Sequence, residues 1–140
     1  RLATMATWAE FSADLRRTAA AKSFGDDNYL EVTIPVNGNR SQKVIVSRLV
    51  WQDVEWVSLH SPFALVDPAV DVMKYLRAVS KMPCGALECV AVGGAEWFSI
   101  RHSMPLATMD AEDFARPVVA VAQVADTMER DASPHGIDML

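Results

Sequence analysis

Of the 140 residues, 51% are hydrophobic and 22% charged, with four Trp and five Phe, which excludes a disordered tail. At this length the chain is expected to form one domain, residues 1–140, with its own core and no need of a metal or disulfide. Lys and Arg total 13 against 18 Asp and Glu, a net charge of −5, and the cations are scattered, which argues against the clustered phosphate contacts of a nucleic-acid partner.

Met5, Trp8, Phe11, Leu15 and Ala19 recur at spacings of three and four, the period of an amphipathic helix. Thr7 and Glu10 have capping-box spacing, although Leu2 and Met5 point to a start one turn earlier. The helix is expected to end near Ser23 to Gly25. From Asn28 to Val36 the chain alternates, with Leu30, Val32, Ile34 and Val36 on one face, as a half-buried strand does. Pro35 cannot donate to a ladder, so that end of the strand should lie at a sheet edge. Asn37-Gly38-Asn39 then predicts a hairpin turn.

The second strand, Gln42 to Trp51, is apolar on both faces: Val44, Val46 and Val50 point one way, Ile45, Leu49 and Trp51 the other. A turn at Gln52-Asp53 leads into a third strand, Glu55 to Ser61. Asp67-Pro68 predicts a helix start, with Asp as N-cap and Pro at the first helical position. Val72, Met73, Leu76 and Val79 are expected to line its apolar side, and Pro83 and Gly85 to stop it. Two β-prone runs around Gly93-Gly94 make a hairpin, with Phe98 and Ile100 facing one way and Trp97, Ser99 and Arg101 the other. The last helix has Asp110 as N-cap and a stripe through Phe114, Val118, Val121, Ala125 and Met128. Pro117 predicts either a kink or a late start. Ser133-Pro134-His135-Gly136 reads as a frayed tail.

The predicted order is α-β-β-β-α-β-β-α, an α+β fold with a five-stranded antiparallel sheet and helices packed on one face. Cys84 and Cys89 lie in a segment that reads as extended from Gly85 onward, where they would be about 16 Å apart, too far for a disulfide. Free thiols suit a reducing compartment. Neither a leader nor an apolar run long enough to span a membrane is present, so the chain reads as cytoplasmic; it begins at Arg1, and a preceding segment is not excluded.

This order, with Leu76-Arg77-Ala78-Val79-Ser80, Gly85-Ala86-Leu87, Trp97-Phe98-Ser99-Ile100-Arg101, Pro105-Leu106 and Val124-Ala125-Asp126, resembles the family that unites type III secretion chaperones with the YbjN proteins. The resemblance covers nearly the whole chain in architecture, is specific from about Leu76 to Arg130, and lies nearer the YbjN side. It implies a small acidic protein, often a homodimer, that holds an extended client segment on apolar surface. Pro117 departs from the pattern.

Catalytic chemistry finds little support in the residues. Cys84 and His102 could pair as thiol and imidazole, but no third, orienting group is evident. His60, His102 and His135 lack metal-ligand spacing, and Gly93-Gly94 is a turn and no phosphate loop. Asp26-Asp27 reads as a loop, and Asp110, Glu112 and Asp113 as a helix start. The two-faced second strand is the exception. Either a bend, a third helix or a dimer mate buries its second face, or a client peptide does. The expectation is a non-enzymatic peptide-binding domain without cofactor or metal, contacting its client through Val44, Val46, Val50, Trp51 and Trp56, with homodimerisation through the apolar surface as the alternative.

Overall fold

The computed structural model describes residues 7–109 and 111–132. Thr7 accepts a hydrogen bond from the Glu10 amide at 3.2 Å and caps helix α1 (Trp8–Thr18), which buries Phe11 and Leu15. Strands β1 (Lys22–Phe24), β2 (Asp26–Pro35), β3 (Ser41–Trp51) and β4 (Val54–Leu65) follow, then α2 (Val72–Val79), the hairpin β5 (Ala86–Val92) and β6 (Ala95–Pro105), and α3 (Ala111–Ala132). The sheet is six-stranded, in the order β1-β2-β3-β4-β6-β5. Every neighbouring pair is antiparallel.

Register decides which side chains enter the core. Leu30 lies opposite Val46, Val32 opposite Val44, Val46 opposite Leu59, and Ser61 opposite Ile100, so these side chains share one face. The helices cover that face. Phe11 meets Phe114 edge-on at 5.2 Å, and Val118, Val121, Ala125 and Met128 of α3 complete the core. The β2–β3 turn is tied to α3 by Arg40, whose Nε donates to Asp126 at 2.7 Å and Nη2 to Glu129 at 2.9 Å. Both carboxylates are buried.

Several predicted features need correction. Helix α1 ends at Thr18 and not near Ser23 to Gly25, where the chain is already strand β1. The sheet has six strands and not five, giving α-β-β-β-β-α-β-β-α; the added β1 is only three residues long and carries no apolar period. Gly25, at φ +75°, turns the chain back so that Lys22 pairs with Glu31. Helix α2 begins at Val72 and not at Asp67-Pro68, because Asp71 accepts from the amides of Met73 and Lys74, while Asp67 caps a separate turn through the Ala69 amide. Its expected apolar side is only partly turned inward: Val79 packs against the core, but Val72, Met73 and Leu76 are exposed, while Tyr75 packs edge-on against Phe63 and Phe98 at 5.2 and 5.3 Å.

Strand β4 continues past the expected stop at Ser61, through a bulge between Pro62 and Ala64 whose Pro62 carbonyl accepts from the buried Gln42 side chain. Helix α3 runs from Ala111 through Pro117, so of the two outcomes expected there the late start does not occur. The expected roles of Leu2, Met5, Asp110 and the Ser133–Gly136 tail lie outside the described residues. Among the described residues no helix is long and apolar enough to cross a membrane.

Candidate functional site

Among the described residues no helix lies on the other face of the sheet, yet part of that face is buried. Ile45, Ser47, Ser58 and Ser99, which alternate away from the core, are at most 6% exposed. Sheet curvature explains this. A cavity of about 240 Å³ on this face is lined by Phe24 of β1 and by Val90 and Ala91 of β5, which are the two edge strands. In a flat sheet these edges would stand about 24 Å apart. The sheet therefore coils around its helix-free face, with help from the β4 bulge, and makes a trough with apolar walls.

The floor of the trough is polar. His60 of β4 bridges two strands: its Nδ1 lies 2.7 Å from Glu88 Oε2 on β5 and its Nε2 lies 3.0 Å from Ser47 Oγ on β3. A carboxylate only accepts, so Nδ1 carries the proton, and in the neutral ring Nε2 accepts from the Ser47 hydroxyl. Opposite His60 on β6 sits Arg101, whose Nε donates to Ser103 Oγ at 3.2 Å and Nη2 to Ser58 Oγ at 3.4 Å. The two hydroxyls are themselves 2.8 Å apart. Among the described residues no carboxylate forms an ion pair with Arg101.

Glu88, His60 and Ser47 are hydrogen-bonded in the sequence that activates a nucleophilic hydroxyl. The surroundings do not complete such a centre. Ser47 is 6% exposed and paired on both sides, to Tyr29 and Ser58, so the ladder occupies its backbone amide and leaves it unable to hold an oxyanion. What the arrangement does is fix an imidazole and a guanidinium side by side on the floor of an apolar trough.

The five expected contact residues separate. Val44 and Val46 are wholly buried beneath the helices and offer no surface to a partner. Val50 and Trp51 are exposed at the β3–β4 turn, at 49% and 59%. Trp51 and Trp56 share the helix-free face with Leu49 and the trough, and the Trp56 indole N–H is buried without an acceptor among the described residues. The trough residues Ser47, Glu88 and Arg101 were not singled out from the sequence as a site, and only their common strand phase could have grouped them.

Cys84 is half-buried and burial pushes its thiol up, away from the thiolate a nucleophile needs. His102 alternates onto the helix side of β6, away from the trough. Among the described residues no cluster of His, Cys, Asp or Glu is arranged to hold a metal. A second cavity of about 220 Å³ opens between α1, α3 and β2, with Phe11, Ile34, Phe114 and Val118 in its walls. Comparison of the chain with protein-family models, with curated proteins and with solved structures finds no match.

Proposed function

We propose that the protein is a non-enzymatic binding domain that holds an extended peptide on the helix-free face of its sheet. The observation that carries this reading is the coiled face itself: a trough with apolar walls, bounded on one side by the edge strand β5, whose one charged side chain, Glu88, is turned in to His60. Strand β5 reads Ala86-Leu87-Glu88-Cys89-Val90-Ala91-Val92 and pairs only with β6 among the described residues. It carries no Lys, Pro or bulge, the usual devices that stop a strand edge from recruiting another. An added strand would take backbone hydrogen bonds from β5 and place alternate side chains over the trough. The element order, apart from β1, supports the likeness to secretion chaperones and YbjN proteins.

The test is amide-resolved NMR with a pool of extended, partly apolar peptides. Shifts confined to β5 and the trough residues, weakened by Trp51→Ala without loss of the fold, support the reading. Shifts spread over the helical face, or none, sink it.

A second reading rests on α2. This helix turns Val72, Met73 and Leu76 to the surface at 43%, 52% and 43% exposure, which suits a homodimer contact. Light scattering on the wild type and on Met73→Glu decides it: a dimer that becomes a folded monomer establishes α2 as the contact, and an unchanged mass removes it.

A further inference from the structure

The trough contains a cation whose hydrogen-bond partners among the described residues are neutral. Arg101 lies on the floor, its guanidinium bound to the hydroxyls of Ser58 and Ser103. Glu88, the carboxylate nearest in register on β5, is committed to His60. Two hydroxyls fix the guanidinium but do not neutralise it. A guanidinium has five N–H donors, and these two bonds leave others for a planar acceptor; a carboxylate satisfies them in pairs.

We infer that the trough seats the free C-terminal carboxylate of a peptide, with Arg101 as its receptor. The inference rests on the peptide-holding reading above and names the part of the peptide that enters. Size favours a chain end over a chain middle: about 240 Å³ is below the about 300–1,000 Å³ that accommodates a larger ligand. The walls set the last side chain. Ile45, Leu49 and Val90 are apolar, so the terminal residue is apolar and its carboxylate points to Arg101, with the His60 ring alongside.

N-acetyl-leucine, which carries a free α-carboxylate, is the first probe, followed in NMR at the Arg101 Nε–H and the amides of β3, β4 and β6. N-acetyl-leucinamide lacks the charge, and N-acetyl-glutamic acid α-amide carries it on a side chain. N-acetyl-leucine is expected to bind about 10-fold or more tighter than either, and Arg101→Gln to abolish that preference, the effect of losing charge-assisted hydrogen bonds. Arg101→Lys keeps the charge without the fork and should recover only part of it. Equal shifts with the neutral amide overturn the inference, as does equal or tighter binding of the glutamate derivative. So does an unchanged preference in a folded Arg101→Gln.

A pool of hexapeptides, free and C-terminally amidated, separates this inference from the reading beneath it. If both pools shift β5 equally, the peptide-holding reading stands and the carboxylate inference fails. If N-acetyl-leucine binds and neither pool does, both fail and the trough is a site for small organic acids. If only the free-carboxylate pool binds, both hold.

Discussion

Single residues decide what the helix-free face can do. Ser47 has a general base in contact and an orienting carboxylate behind it, but mid-strand pairing takes the amide that acyl transfer would need. A fluorophosphonate probe is therefore expected to leave Ser47 unlabelled, read by mass spectrometry of the tryptic peptides; labelling at Ser47 would establish a nucleophile and end the non-enzymatic reading. Tyr75 and Cys84 bear on stability. Burial pushes the Tyr75 phenol above its ordinary value, with the Asp131 carboxylate adding to it, and burial does the same to the Cys84 thiol. A raised pKa means that the folded state holds the proton more tightly, so the stabilisation is complete below the unfolded values and fades as pH rises through the folded ones. Unfolding free energy should fall from about pH 9 upward. The decline should be shallower in Tyr75→Phe with Cys84→Ala, measured by urea titration across that range.

Among the elements, α3 and the α2–β5 junction carry the sharpest expectations. Arg40 holds two buried carboxylates of α3 while its own side chain is only 20% exposed, so Arg40→Gln takes a guanidinium away from both acids and leaves Asp126 the longer pair to Arg130 at 3.4 Å. Its cost is expected to be about 2 kcal/mol, partly recovered when Asp126→Asn and Glu129→Gln are added, because the penalty is buried negative charge that has lost part of its compensation. Equal stability of Arg40→Gln and wild type in chemical denaturation would show that the clamp contributes nothing. Gly85 sits at φ +95°, and a Cβ there would stand 2.6 Å from Ile100 Cγ2. Gly85→Ala should cost about 2 kcal/mol or more, whereas Gly94→Ala, with open space around it, should cost only about 1–2 kcal/mol of backbone strain.

How far the elements could be read depended on the length and clarity of their periods. Strand β2 and the stripe of α3 were legible from their apolar periods, and β3, β5 and β6 from β-prone runs set around the Asn37-Gly38-Asn39 and Gly93-Gly94 turns. Strand β1 was not, since three residues cannot show a period. Pro62 reads as a stop, but it lies beyond the last β3–β4 pair and is accommodated at a bulge. In α2 the outward Val72, Met73 and Leu76 form the more apolar stripe, and only the aromatic fit of Tyr75 between Phe63 and Phe98 turns that stripe away from the core.

At the scale of the molecule, the face that matters is a product of curvature, which no local pattern encodes. Val44 and Val46 could be assigned to one side of β3 from alternation, but which side the helices cover, and that the other side coils inward, depends on all six strands together. The trough floor draws on three of them: Ser47 on β3, His60 and Ser58 on β4, and Arg101 and Ser103 on β6, with Glu88 reaching in from β5.

The strand order also bears on how the molecule assembles. Strands β2, β3 and β4 join through short turns, as do β5 and β6, so each half can zip locally. The centre of the sheet cannot. Pairing β4 with β6, from Leu65 opposite Trp97 to Trp56 opposite Pro105, requires closing a loop that contains all of α2 and β5, and that closure entropy is lost before the pairing returns anything. The seam is therefore expected to form after the hairpin units on either side of it. Ile100→Val, at the seam, is expected mainly to speed unfolding in stopped-flow, while Ile34→Val, in the β2–β3 hairpin that forms earlier, should slow refolding. Until the seam closes there is no trough, and the half-assembled chain presents an uncovered β4 edge that could pair with another strand.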